Sequence, residues 1–153
     1  MSAQTNFWYW QLINPALGLV IAMFVVAVVF DLWGERAYWR ILPVMIVVAA
    51  LFYGITVLIP GTFLTFVAYE ALAMLFALGG YIYLSSPAKL NGVWLLVAGV
   101  LITIVAAMVQ AVGKNGVVLF FGLDQKGVFH LVQMVGVLAL VGGEQKGLAR
   151  ENK

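Results

Sequence analysis

The sequence predicts an all-α protein, a polytopic membrane helical bundle with five transmembrane helices in one domain. Three observations predict it. Of 153 residues, 65% are hydrophobic and 9% are charged, whereas a soluble domain carries roughly 25% charged residues and needs them to cover its surface in water. The apolar residues gather in five runs, most of them near the ~17–25 residues that a helix needs to cross the hydrocarbon core. Short breaks rich in charge, aromatic rings, Pro and Gly separate these runs.

The first span covers 13–30 and the second 41–59. The break between them holds Asp31, Glu35, Arg36 and Arg40, flanked by Trp33, Tyr38 and Trp39 as interfacial aromatics. Pro60-Gly61 makes the second turn very tight, and the third span follows at 64–84. Ser85-Ser86-Pro87 ends that helix, and the fourth span covers 93–112. The connection 113–127 is the longest. Its apolar run 116–122 is too short to span, and it reads as a surface-lying turn in preference to a re-entrant segment. The fifth span, 128–141, is short unless it lengthens at its start or the bilayer thins around it. Long Val-rich runs favour helices over strands by length, and the alternating pattern of a membrane barrel is absent.

Charge and composition exclude several function classes. Eight Lys+Arg against six Asp+Glu leave a net charge of +2, so no nucleic-acid partner is expected. The chain has no cysteine, which excludes disulfides, thiolate metal sites and cysteine nucleophiles. Counting Lys and Arg sets the orientation. One side would carry Lys114 and Lys126; the other Arg36, Arg40, Lys89, Lys146, Arg150 and Lys153. Positive-inside then puts the N-terminus outside and the C-terminus in the cytoplasm, in what reads as a bacterial inner membrane. Residues 1–11 have no basic n-region, so the first span is expected to be retained, with Trp8, Tyr9 and Trp10 at the outer headgroup level.

Polar side chains cluster in depth. Asn14 opens the first helix, Tyr53 and Thr56 lie near the outer end of the second, and Gln110 lies near the outer end of the fourth. His130 and Gln133 share a face in the first turns of the fifth. Glu70 lies six residues into the third span, about 9 Å deep at a rise of 1.5 Å per residue. The opposite halves of these helices are almost wholly apolar. An ionisable group inside a span is costly and points to a functional role or a wet cavity. With His130 as partner, Glu70 would suit acid–base work, a proton relay or half of a metal site; hydrogen-bonded to His130 or Gln110, it would fix helix packing instead. Asp124 either caps the fifth helix or joins the cluster from above. One His, one Glu and one Asp are a poor set for zinc, and no motif indicates a cofactor. Ala71, Ala73, Ala77, Gly79, Gly80, Gly92, Gly99 and Gly136 mark close helix packing, within the chain or at a dimer seam.

The segment 123–133, LDQKGVFHLVQ, resembles the last-helix signature of a group of small bacterial multi-span membrane proteins, in which a polar turn leads into an aromatic-His-Leu-x-Gln helix. That group is in turn distantly similar to the alkaline ceramidase and adiponectin receptor superfamily, seven-span proteins that are typically zinc amidohydrolases. The resemblance implies that His130 matches the helix histidine of the signature. The chain departs from the superfamily in having one histidine, five spans, and Tyr53 where a second histidine would be sought. What it then implies is a remodelled outer-leaflet pocket without the hydrolase chemistry.

The expected function is therefore non-enzymatic: binding a lipid-like ligand through an outer-leaflet polar pocket, or serving as a subunit of a larger membrane assembly. The expected partners are membrane lipids, a second copy of the chain, or a larger membrane complex. The alternative is an intramembrane enzyme acting on a lipid substrate with Glu70 and His130 as its acid–base pair.

Overall fold

A computed structural model describes residues 3–59, 63–86, 92–112, 118–120 and 123–151, with side chains placed over 8–59, 65–86, 92–109 and 127–147. The order of elements is α1 (Ala3–Trp33), α2 (Glu35–Leu58), α3 (Phe63–Ser85), α4 (Val93–Val112), β1 (Val118–Phe120), β2 (Leu123–Asp124) and α5 (Gln125–Glu151). Four helices contain segments long and apolar enough to cross a membrane: Trp8–Trp33, Glu35–Leu58, Thr65–Ser85 and Gly127–Gly147. The described apolar part of α4, Val93–Val109, is shorter.

The helices match the expected spans at their centres and differ at their ends. α4 has the expected bounds. α1 begins ten residues earlier than the span, so Trp8, Tyr9 and Trp10 are helical. Pro15 lies inside α1 without ending it, because its fixed φ suits the helix and it removes a single N–H donor. α5 extends past the expected span at both ends. Gly142 and Gly143 do not terminate it; Gly143 is buried, and a Cβ there would meet Leu96 Cδ2 at 2.6 Å. The following Gln145 and Lys146 are good helix formers. In the long connection, β1 and β2 pair as a two-stranded antiparallel ribbon, Val118 with Asp124 and Phe120 with Leu123. The ribbon occupies the apolar run of that connection, since Val, Leu and Phe suit a short pleated pair. The Pro60-Gly61 turn, Pro87 and residues 113–117 lie outside the described residues.

The chain divides into two compact units, Met1–Ala73 and Met74–Lys153, with the cut falling within α3. In the first, α1 and α2 form an antiparallel hairpin joined by Gly34 alone. Gly34 has φ 77° and ψ −171°, a backbone conformation open essentially to glycine only. Its N–H donates to Phe30 O at 2.7 Å, and its carbonyl accepts from Ala37 N and Tyr38 N. Next to the turn, Phe30 meets Tyr38 edge-on at 6.1 Å, and Trp39 Nε1 donates to Glu35 Oε1 at 3.2 Å. The α1 stripe Gly18, Ile21, Ala22, Val26, Val28 and Val29 is buried, as are Ala49 and Phe52 of α2. Gly18 forms a notch: a Cβ there would lie 2.7 Å from Phe52 Cδ1.

In the second unit, α4 packs antiparallel on α5. Gly92 opens α4 with φ 79°, its carbonyl accepting from Leu95 N at 2.8 Å. It also touches α5, where a Cβ would lie 2.7 Å from Gly143 O. Leu96, Val97, Val100, Thr103 and Ala106 are buried along α4. Much of the remaining surface is apolar, including Leu75, Trp94 and Leu138, each more than 60% exposed. Apolar surface on this scale is stable where lipid or another apolar body covers it.

Candidate functional site

Within the first unit, polar groups collect at the end of the α1–α2 hairpin remote from Gly34. Gln11, Asn14 and Gly18 follow one another at helical spacing on the face of α1 that buries Ile21 and Ala22. Tyr53 O–H donates to Gln11 Oε1 at 2.8 Å, joining residues 42 apart in sequence. Thr56 Oγ1 donates to the Tyr53 carbonyl at 2.8 Å, so this hydroxyl bonds back to its own helix. Phe52 sits in the Gly18 notch and stacks on Tyr69 of α3, with centroids 4.9 Å apart and planes 25° apart. Phe66 adds a tilted contact to Phe52 at 6.3 Å. Tyr69 O–H reaches across to the Gly18 carbonyl at 3.3 Å.

These contacts order three helices around one aromatic ring, and they position Glu70. Glu70 follows Tyr69 in α3, about 100° further round the helix, and it is partly buried. Among the described residues its carboxylate makes no hydrogen bond or ion pair. Asn14 is also partly buried. The structure thus brings Asn14, Tyr53 and Glu70 into one compact unit, with Gln11 and Tyr69 as further members.

The remaining expected residues belong to the second unit. His130 is exposed and meets the neighbouring Phe129 ring at 5.0 Å and 60°. Gln133, one turn on, is partly buried, and its Oε1 is occluded without a hydrogen-bond partner. Asp124 ends β2 directly before α5, the position from which a side chain caps a helix. Gln110 lies in the last turn of α4; its side chain and that of Asp124 lie outside the described residues. Thr103 is fully buried with its hydroxyl unpartnered. No group of three or more His, Cys, Asp or Glu side chains that would hold a metal occurs among the described residues.

Three residues escaped sequence reasoning: Gln11, Tyr69 and Thr103. Gln11 had a signal, since it lies three residues before Asn14 and seven before Gly18 on one face. Thr103 likewise lies four residues after Gly99. Nothing in the sequence separates Tyr69 from the other aromatics of an apolar helix.

Fold and site together define a helical membrane protein, with polar side chains set into otherwise apolar helices. The chain belongs to DUF6962, a family of unknown function whose model matches residues 1–148. No curated protein and no solved structure matches it.

Proposed function

We propose that this protein is a non-enzymatic, five-span inner-membrane protein of a bacterium that binds a lipid-like ligand through a polar pocket in the outer half of the bilayer. The observation that carries the reading is Glu70, a partly buried carboxyl inside an apolar span with no hydrogen bond or ion pair among the described residues. A group of that kind is expensive in hydrocarbon unless a ligand, water or partner meets it. Tyr53, Tyr69 and Thr56 already use their hydroxyls on the protein itself. In this reading Glu70 and Asn14 would meet a headgroup, and the ring stack of Phe52 and Tyr69 would line its apolar part. A fifth span is supported by the 20 residues of α4, about 30 Å of helix.

Native mass spectrometry of the protein extracted from its own membrane in mild detergent tests this reading. The expected result is an excess mass of lipid size, retained by the wild type and lost in Glu70→Gln. Heavier protein subunits with no such ligand would make the chain an assembly component and overturn the ligand reading. Chemical conversion of the retained lipid by wild type, lost in Glu70→Gln and in His130→Ala, would instead identify the enzyme.

A further inference from the structure

Two polar atoms in the α4–α5 seam have no hydrogen-bond partner among the described residues: Thr103 Oγ1 and Gln133 Oε1. Thr103 is 0% exposed. The contacts that set Gly92 against Gly143 and Gly99 against Gly136 bring Thr103 level with the turn of α5 that carries Gln133. Thr103 Oγ1 lies 2.8 Å from the point where a Cβ on Gly136 would stand. The hydroxyl thus lies against the narrow part of the seam, beside the bare Cα of Gly136.

An unmatched buried polar atom bears the full loss of its hydration, and Val in place of Thr103 would fill the same space without that cost. Gln133 Oε1 only accepts hydrogen bonds, while Thr103 Oγ1 both donates and accepts. One hydroxyl group set between them would satisfy both, donating its proton to Gln133 Oε1 and accepting from Thr103 O–H. Both atoms are occluded in the packed helix pair, so a hydroxyl from outside reaches them only where the seam parts beside the partly exposed Gln133.

We propose that Thr103 and Gln133 form a binding site for a single hydroxyl group, supplied either by water or by the headgroup of a neutral lipid. The site lies within the second unit and does not involve Glu70. It goes beyond the proposed function and stands without it in both forms.

The test uses purified full-length protein in detergent as wild type, Thr103→Val, Thr103→Ser and Gln133→Met. Two probes are added in turn, a diacylglycerol and the same lipid with its free hydroxyl acetylated, and Tm is read. Water contacts are read separately by nuclear Overhauser effects between water and the side chains of residues 103 and 133. A lipid source is shown by an upward Tm shift with diacylglycerol but not with its acetylated form, lost in Thr103→Val and Gln133→Met and kept in Thr103→Ser. A water source is shown by water contacts at both side chains that disappear in Thr103→Val while neither lipid shifts Tm. Absence of both signals in folded wild-type protein overturns the proposal. Loss of the lipid mass in Glu70→Gln with an intact signal here would separate the two sites.

Discussion

Gly99 and Gly136 approach each other so closely across α4 and α5 that neither helix can carry a side chain there. A Cβ on Gly99 would lie 2.9 Å from the Gly136 carbonyl oxygen, and one on Gly136 would lie 3.2 Å from the Gly99 carbonyl oxygen. The relationship is reciprocal, as expected where two backbones touch through Cα–H groups. Gly136→Ala is expected to cost about 1–3 kcal/mol, the usual penalty of overpacking, and to lower Tm in detergent. Gly79→Ala is the comparison, since a Cβ there meets nothing within 4 Å among the described residues; higher helix propensity should leave that variant equal or slightly more stable. Equal melting of the two variants would mean that the seam is not tight.

Gly34 presents the opposite case. A Cβ there meets nothing within 4 Å among the described residues, yet φ is 77° with an extended ψ. Gly34→Ala should therefore cost about 1–3 kcal/mol from backbone strain alone. Thermal unfolding checks this, and lengthening the turn by one added glycine should relieve most of the loss in the Ala variant.

The Tyr53–Gln11 hydrogen bond is expected to couple α1 to α2 at the open end of their hairpin. Tyr53→Phe, Gln11→Leu and the double variant form a thermodynamic cycle, and side-chain bonds between membrane helices give coupling of about 0.6 kcal/mol, with a maximum near 1.7. A coupling of zero would reduce the contact to simple packing.

Topology is accessible because the chain has no cysteine of its own. Ser2→Cys, Ser86→Cys and Gln145→Cys each introduce a single thiol for a membrane-impermeant maleimide. Five spans with the N-terminus outside predict labelling of position 2 in intact cells, and of positions 86 and 145 only after permeabilisation. If α4 stayed on one side of the membrane, position 145 would label in intact cells.

How far the sequence foretold the structure depends on the physical signal at each element. The middles of the helices were legible because hydropathy records them directly; α4 follows its apolar run residue for residue. The ends of α1 and α5 were not, because helix continues past an apolar run wherever the next residues tolerate it, as Trp8–Trp10 and Gln145–Lys146 do. Gly99 and Gly136 were recognisable as packing residues, whereas Gly143 and Gly18 emerge only from their neighbours Leu96 and Phe52. In the candidate site, Asn14, Tyr53 and Glu70 stood out as polar groups among apolar ones. Tyr69 did not, because its hydroxyl finds the Gly18 carbonyl across 51 residues of sequence, and such a contact leaves no local trace.

The one-residue connection at Gly34 also acts as a gear. Two helices joined by a long loop can each turn about its own axis, but with a single residue between them the azimuth of α1 fixes that of α2. The exposed stripes Leu19, Val20 and Met23 on α1 and Val44, Val47 and Leu51 on α2 must then swing together. A rotation that carried Gln11 outward would take Tyr53 with it, so this hairpin reorients in the bilayer as one body or not at all.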